Sequence, residues 1–380
     1  MRPLGLYVHW PYCARICPYC DFTVAKARAV DASGWSRVLM EDLRRLAAMT
    51  ERRALTSVYF GGGTPSLMPL SVAGAVLEEA ERLFGFTDGI ELTVEANPDD
   101  LSLLEGLAGA GFNRLSLGVQ SFDGGELEFL GRIHDGREAR AAADTALRLF
   151  QRVSLDFIYA LPEQSLGDWE KALREAVEVG AGHLSLYQLT IEPDTAFGKA
   201  AERGKLVPVT DDRSADFYEL TQDVTADLGL PAYEVSNHAR AGEEAVHNAL
   251  YWCDAEWLAI GPGAHGRLGS PEARLATEGM KRISQYTSLT DGERISISSL
   301  SLAEHRLEVL SGGLRPVKGL DLARLGSDAE GVLSRAKPLI EQGFLSLGGG
   351  YLAASQAGRP LIDQLALLLS EGLADPAPEA

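Results

Sequence analysis

The chain has 380 residues, 46% of them apolar, and its 35 basic and 54 acidic residues give a net charge of −19. This length predicts one large domain and a smaller one, with enough apolar residues to form their cores without disulfides or metal ions as staples. The negative charge disfavours nucleic-acid binding through a broad basic surface, although it does not exclude a local basic patch.

Strand-like and helix-like segments alternate from residue 4 to about residue 192. The predicted strands are rich in apolar and β-branched residues, as expected for parallel strands covered on both faces. They span residues 4–10, 57–62, 90–96, 114–120, 152–161 and 183–191. Six such repeats predict an α/β fold, either a doubly wound sheet or a barrel-like one, with its functional site at the carboxyl ends of the strands.

The repeat fades after residue 192. Residues 211–229 are predicted to form one more helix, and residues 231–270 contain short strands and the run HNALYWC. From about residue 300, two helices (302–311 and 329–342) precede two short strands around a triple-glycine turn. This order resembles a winged-helix module. Such modules often bind DNA, but the acidity of the chain favours a packing or protein-docking role here.

The first predicted strand is followed by three closely spaced cysteines, Cys13, Cys17 and Cys20, whereas the fourth, Cys253, lies far away. A tight trio in a long chain indicates metal or redox chemistry rather than a disulfide scaffold. The chain begins without a signal-peptide pattern and has no run of 18 apolar residues, so we expect a cytoplasmic protein without a membrane span.

Thiolates are soft ligands that select iron–sulfur clusters, zinc or copper(I). A structural zinc site needs four ligands, and no fourth ligand follows the trio at zinc-finger spacing. Three thiolates on a four-iron cluster would leave one iron open to another ligand. The open cluster is therefore our first interpretation, beside a zinc site or three incidental cysteines.

The segments YVHWPYCARICPYCDF and FGGGTP resemble the radical S-adenosylmethionine (SAM) superfamily. The resemblance implies a partial (β/α)6 TIM-like barrel, a [4Fe-4S] cluster on Cys13, Cys17 and Cys20, and SAM on the open iron. It also implies a small C-terminal α+β domain that is winged-helix-like.

Further motifs (EANP, GVQSF, LGRIH and DFIYALP) are similar to the group formed by the coproporphyrinogen dehydrogenase HemN and the heme chaperone HemW. The decarboxylases of this group carry another cysteine two positions after the trio, where this chain has Phe22. The run that begins at His247 matches the HNxxYW motif of the heme chaperone branch. The resemblance is therefore closer to that branch.

The resemblance also implies roles for individual residues. Gly62, Gly63 and Thr64 form the turn that meets the amino group of SAM, and Glu95 binds its ribose hydroxyls. Tyr7 orients the methionine moiety of SAM or packs in the barrel mouth, and His9 is a structural histidine. Gln120, Arg132 and Asp156 match positions that hold a second SAM in the decarboxylase, with core polar bridges or ion pairs as the alternative.

His247 is the predicted axial ligand of heme iron, with Tyr251 and Trp252 as flat apolar surface against the porphyrin. Without the family resemblance, a lone histidine near aromatic residues is more often structural. Cys253 receives no role.

The predicted organisation has three parts: a radical SAM barrel (1–230), an extension with the HNxxYW region (231–299) and a C-terminal HemN-type domain (300–380). The predicted function is to bind the cluster, SAM and heme and to transfer heme to an acceptor protein, with an electron donor as a further partner and peripheral contact with a membrane-bound acceptor left open. The alternative is an oxygen-independent coproporphyrinogen III dehydrogenase, and a zinc- or cluster-bearing regulator that binds DNA is a third hypothesis.

Overall fold

Six strands of one sheet correspond to the six predicted apolar runs. The computed structural model describes residues 2–27 and 30–373. The six strands are β1 Leu4–Trp10, β2 Leu55–Gly62, β3 Phe86–Ala96, β4 Arg114–Gln120, β5 Arg152–Tyr159 and β6 His183–Gln188. Each pairs in parallel with the next along the chain.

The predicted bounds of β1 and β4 are confirmed, and β5 is shorter than predicted because Ala160 takes a left-handed φ of 58°.

Five further strands extend this sheet at both edges. They are β7 Asn237–Ala239, β8 Glu256–Ile260, β9 His265–Leu268, β10 Leu275–Gly279 and β11 Ile295–Ser299. The sheet order is β11-β10-β9-β8-β1-β2-β3-β4-β5-β6-β7, so its two edges are different strands and the sheet is open. The α/β fold with a partial barrel is therefore confirmed.

Fourteen helices occur in the described residues, most of them between consecutive strands. They are α1 Ala32–Ala47, α2 Leu70–Phe84, α3 Leu104–Gly109, α4 Gly124–Phe129, α5 Gly136–Leu149, α6 Leu166–Glu178, α7 Ala196–Glu202, α8 Asp211–Asp227, α9 Val246–Trp252, α10 Ile283–Tyr286, α11 Asp291–Arg294, α12 Leu302–Leu314, α13 Ala329–Glu341 and α14 Ile362–Ser370. Among the described residues, no helix has both the length and the apolar character needed to cross a membrane.

Polar residues before several helices account for where they begin. The carboxylate of Asp135 accepts hydrogen bonds from the backbone N–H groups of Arg137 and Glu138 at the start of α5. The Glu138 side chain in turn accepts from the Asp135 N–H. This reciprocal pair satisfies donors that the first turn of a helix leaves free.

The C-terminal residues form a second apolar core of their own. Strands β12 Leu320–Asp321, β13 Leu345–Gly348 and β14 Tyr351–Ala354 form a small antiparallel sheet beside α12, α13 and α14. The fully buried side chains of Leu310 and Leu352 belong to this core. The predicted order of two helices and a hairpin is confirmed.

The three predicted domain ranges stay predictions. The large sheet ends at Ser299 and α12 begins at Leu302, close to the predicted boundary. Residues 1, 28–29 and 374–380, which include both ends of the predicted ranges, lie outside the described residues.

Candidate functional site

The cysteine loop lies at the carboxyl end of β1. Tyr12–Cys13 pairs in parallel with Ala25–Lys26, so the intervening residues form a loop that contains Cys17 and Cys20. The backbone N–H of Cys20 donates to the Cys17 carbonyl at 3.2 Å. Burial raises the pKa of the Cys13 thiol to about 11 and also raises the pKa of Cys20. These two thiols are therefore protonated at neutral pH unless a metal displaces the proton.

The glycine run packs directly against this loop. The Gly63 N–H donates to the Trp10 carbonyl at 2.7 Å, and the Thr64 N–H donates to the Tyr12 carbonyl at 2.9 Å. A Cβ atom on Gly63 would lie 2.8 Å from the Tyr12 oxygen and 3.0 Å from the Cys13 Sγ. Only glycine allows this approach of the second strand end to the cysteine loop.

Arg132 ties the cysteine loop to the neighbouring strand ends. Its Nη1 donates to the Sγ of Cys17 at 3.3 Å, and its Nη2 donates to the Gly118 carbonyl at 3.2 Å and to the Asn97 amide oxygen. The Asn97 Nδ2 donates to the Thr64 hydroxyl at 3.2 Å. A half-buried cation therefore lies next to one of the three sulfur atoms.

A cavity of about 480 Å³ runs from the cysteine loop into the barrel interior. This volume is within the usual range of small-molecule sites. Ten of the twelve predicted site residues line it: Cys13, Cys17, Cys20, Gly62, Gly63, Thr64, Glu95, Gln120, Arg132 and Asp156. The structure thus brings together residues from six separate segments of the chain.

Glu95 is a carboxylate on the wall of this cavity. The hydroxyl of Tyr59 donates to its Oε1 at 2.8 Å, and the Gly62 N–H donates to its Oε2 at 3.1 Å. Burial raises the pKa of Glu95 to about 7, and the nearby Asp156 carboxylate adds to the rise, whereas the Tyr59 hydrogen bond opposes it. Glu95 therefore gains and loses its proton near neutral pH.

Asp156 accepts hydrogen bonds from one hydroxyl group of its own strand, β5, and one of the neighbouring strand, β4. Ser116 donates to its Oδ2 at 2.7 Å and Ser154 donates to its Oδ1 at 2.8 Å. The Ser154 hydroxyl also lies 2.8 Å from the Nδ1 of His183, whose Nε2 lies 2.9 Å from the Tyr233 hydroxyl. Burial raises the pKa of Asp156. A chain of polar side chains thus continues below the cavity.

Tyr7 and His247 lie outside the set of described residues that line the cavity. The ring of His247 stacks on the cavity-lining ring of Tyr59 with centroids 5.1 Å apart, and Tyr7 stacks on the same ring at 6.2 Å. The Tyr7 hydroxyl lies 3.1 Å from the Nδ1 of His9, whose Nε2 donates to the Thr23 carbonyl at 3.0 Å. Both predicted residues therefore pack against the Tyr59 ring instead of lining the cavity.

Both ring nitrogens of His247 already have hydrogen-bond partners. Its Nδ1 lies 2.9 Å from the Ser57 hydroxyl and its Nε2 lies 2.8 Å from the Tyr251 hydroxyl. The side chain is 1% exposed, and burial, with a smaller effect from Arg114, lowers the pKa of His247 to about 3. His247 is thus a buried neutral imidazole in this conformation.

Helix α9, which carries the HNxxYW motif, is held at both ends. At its start, the Glu91 carboxylate accepts hydrogen bonds from the backbone N–H groups of Val246 and His247, both at 2.9 Å. At its end, the guanidinium of Arg315 lies 4.7 Å from the centre of the Trp252 ring. The motif therefore joins the barrel wall to the C-terminal helix α12.

Several residues that line the cavity were missed by sequence reasoning. They are Tyr59, Arg114, Ser116, Ser185 and Tyr187, whereas Asn97 and Asn248 belong to the EANP and HNxxYW motifs but had received no role of their own. One signal was available for two of them, because Arg114 and Ser116 are polar residues at alternate positions of an otherwise apolar strand.

Comparisons with known proteins fit this geometry. A family model described as the radical SAM superfamily matches residues 7–176, and one for the HemN C-terminal domain matches residues 300–361. The chain is 37% identical to "Radical S-adenosyl methionine domain-containing protein 1, mitochondrial" of Bos taurus, over 96% of this chain and 87% of that protein. It is 34% identical to "Heme chaperone HemW" of Mycobacterium tuberculosis, over 95% of this chain and 93% of that protein.

The chain belongs to the HemN/HemW group of the radical SAM superfamily. The solved structure of coproporphyrinogen III oxidase (HemN) from Escherichia coli shares the fold, with a TM-score of 0.80 at 22% identity over 97% of this chain and 90% of that one. Membership in the superfamily implies a [4Fe-4S] cluster and SAM.

The residues of this chain fit those groups. The three thiols lie in one loop, the Arg132 guanidinium lies beside one sulfur, and Gly63 lets the end of β2 pack closely against Cys13. In the described part of the chain, no three histidine, cysteine or carboxylate side chains are grouped as ligands of a single ion, whereas a cluster distributes its cysteine ligands over several iron atoms.

Proposed function

We propose that this protein binds heme and passes it to an acceptor protein, as a heme chaperone that also carries a [4Fe-4S] cluster and SAM. The observation that carries the proposal is the placement of the HNxxYW segment as α9, with Asn248 on the cavity wall and His247 one layer behind it. Relatives named as heme chaperones, which span nearly the whole chain, support it.

The cavity supports the assignment of the cofactor residues. Cys13, Cys17 and Cys20 would hold three irons, and a cluster with one open iron can coordinate SAM and supply an electron to it. The turn of Gly62, Gly63 and Thr64 would lie against the amino group of SAM, and Glu95 would accept from its ribose hydroxyls. Gln120, Arg132 and Asp156 are close enough to the same cavity to contact a ligand.

The pKa of Glu95, about 7, predicts a pH dependence of SAM binding. The ionised carboxylate is the stronger acceptor and attracts the sulfonium cation, so SAM affinity should rise by up to about tenfold between about pH 6 and pH 8. Calorimetric titration of the cluster-loaded protein would measure it. Glu95→Gln should remove the pH dependence, and Glu163→Gln on the surface should keep it. If SAM affinity rose equally with pH in all three proteins, the assignment of Glu95 to SAM binding would be contradicted.

Heme ligation by His247 requires a local rearrangement. The Tyr251 hydroxyl occupies the Nε2 that would bind iron, and the side chain of His247 is almost fully buried. Because Tyr251 follows His247 by one helical turn, rotation of its side chain would free Nε2 without unfolding α9. The neutral state of the imidazole suits iron binding.

Heme titration of the reconstituted protein, followed by the shift of the Soret band, tests this function. His247→Ala should abolish the shift of the Soret band that ligation of heme iron by His247 would cause. Tyr251→Phe should strengthen heme binding by about fivefold, because iron no longer competes with a hydrogen bond that contributes about 1 kcal/mol.

His265→Ala is the matched control, since His265 is an exposed histidine beside Glu278. It should bind heme as the wild type does. An unchanged Soret shift in His247→Ala, with unfolding temperatures equal to the wild type, would contradict the assignment. The opposite effects expected for His247→Ala and Tyr251→Phe separate ligation from general damage to α9.

The alternative function, decarboxylation of coproporphyrinogen III, is favoured by one observation: Gln120, Arg132 and Asp156 all line the same cavity. An anaerobic assay with coproporphyrinogen III, SAM and dithionite would show protoporphyrinogen and 5′-deoxyadenosine if this alternative held, because cleavage of SAM accepts the electrons that the propionates lose. Absence of both products with an intact cluster would remove this alternative.

The acceptor protein and the electron donor stay proposals identified only by their roles. The cytoplasmic location also stays a prediction, because one relative of similar identity carries the word mitochondrial in its name.

A further inference from the structure

The inner face of β4 crosses the whole cavity. Arg114, Ser116, Gly118 and Gln120 occupy alternate positions of this strand, and all four line the cavity. Residues of a strand rise by about 3.3 Å each, so the Arg114 and Gln120 backbones lie about 20 Å apart. Gln120 is at the carboxyl end of the strand, the end that carries the cysteine loop, and Arg114 is at the opposite, inner end.

The side chain of Arg114 makes no hydrogen bond to any of the described residues. Its side chain is 2% exposed, and its Nε is shielded from solvent without an acceptor. The nearest carboxylate oxygen is Glu91 Oε2, at 3.9 Å from Nε. That carboxylate already accepts from the Arg152 Nη1 at 2.9 Å and from two backbone N–H groups of α9.

The other carboxylates of the cavity do not pair with Arg114 either. Asp156 is occupied by the hydroxyls of Ser116 and Ser154, and Glu95 is occupied by Tyr59 and Gly62. A buried guanidinium without a close partner is unfavourable, because the protein does not replace its lost hydration. The Arg114 Nε therefore has no acceptor at the inner end of the cavity, and its nearest counter-charge, Glu91, is too far away for a hydrogen bond.

We propose that Arg114 is the anchor of a carboxylate-binding subsite at the inner end of the cavity. The planar guanidinium matches a carboxylate with two parallel hydrogen bonds. Ser185 and Asn248 line the same cavity and offer further hydrogen-bonding groups. The ligand enters from the cysteine end and places an anionic arm on Arg114. The subsite rests on the proposed function, because heme carries two propionate carboxylates. The carboxylate of SAM shares a carbon with the amino group that we place at the turn of Gly62, Gly63 and Thr64, at the other end of the cavity.

The test compares each ligand with a form that lacks the carboxylate. Heme is compared with heme dimethyl ester by Soret titration, and SAM is compared with decarboxylated SAM by calorimetry. Each pair is measured on the wild type, Arg114→Gln, Arg114→Lys and Arg148→Gln. Arg148 is a surface residue whose replacement makes the same change in net charge. Thermal unfolding of each variant checks that it is folded.

Heme should bind at least about tenfold more weakly to Arg114→Gln than to the wild type, while heme dimethyl ester binds equally to both proteins. Arg114→Lys should recover part of the loss and Arg148→Gln should match the wild type. Loss confined to heme identifies a porphyrin propionate, whereas loss confined to SAM would contradict the placement of the amino-acid end of SAM at the turn of Gly62, Gly63 and Thr64.

Equal preference for the carboxylate form in the wild type and in Arg114→Gln, for both ligands, overturns the subsite. This failure differs from failure of the proposed function. If heme does not bind at all, the chaperone function fails, and the SAM comparison still decides the role of Arg114. If Arg114→Gln does not fold, the partial loss in Arg114→Lys decides it.

Discussion

Cys17→Ser should lose the iron–sulfur cluster, with iron and sulfide falling from about four per chain to near zero after anaerobic reconstitution. The three cysteines of the loop are the thiol ligands that the described site offers, and removing one leaves a second iron without a protein ligand. Cys13→Ser and Cys20→Ser should behave alike. Iron and sulfide analysis with the visible absorption of the cluster provides the measurement.

The fourth cysteine supplies the matched control. Cys253 is half-buried beyond the end of α9, where its Sγ lies 3.8 Å from the Leu250 carbonyl. It lines a different surface depression, with Arg2 and Arg324, so Cys253→Ser should keep the whole cluster. A full cluster in Cys17→Ser, or its loss in Cys253→Ser, would show that the ligands are assigned wrongly.

Gly63→Ala should displace the cysteine loop, destabilise the fold by about 1–3 kcal/mol and reduce cluster content. The added Cβ would lie 2.8 Å and 2.9 Å from two backbone oxygens, those of Tyr12 and Trp10. Those oxygens accept the hydrogen bonds that join β2 to the loop, so neither strand can move without breaking one. Thermal unfolding and iron analysis would measure the two effects.

Gly74→Ala is the control for this substitution. Gly74 lies within α2 and has no atom within 4 Å of an added Cβ. Replacing a helical glycine by alanine at an open position should stabilise the protein by about 0.5–1 kcal/mol. If Gly63→Ala instead melted at the wild-type temperature with a full cluster, the contact between the glycine run and the cysteine loop would not be needed.

The parallel strands could be predicted because both of their faces are covered. A strand such as β4, with all but its last residue buried, produces a continuous apolar run whose ends are visible in the sequence. The short edge strands β7 and β11 have no such run, since β7 has three residues and β11 exposes most of its side chains. Their positions depend on partners that are distant in sequence.

The cofactor end of the site could also be predicted, because local spacing defines it. A loop of eight positions carries all three thiols, and the glycine run follows the next strand. The alternate polar positions of Arg114 and Ser116 were a sequence signal, but that signal did not give Arg114 a role. Both faces of a barrel strand are buried, so alternation alone does not tell which face meets helices and which meets the cavity.

The amino-acid sequence by itself determined the six-fold strand and helix repeat, the cysteine trio and the family resemblance, since these depend on short-range spacing. Only the tertiary structure decided which polar groups face the cavity. It packed Tyr7 and His247 against the ring of Tyr59, and it left the Arg114 Nε without a hydrogen bond to any described residue at the inner end. The reason is physical: burial and pairing depend on residues that the fold brings together from distant parts of the chain.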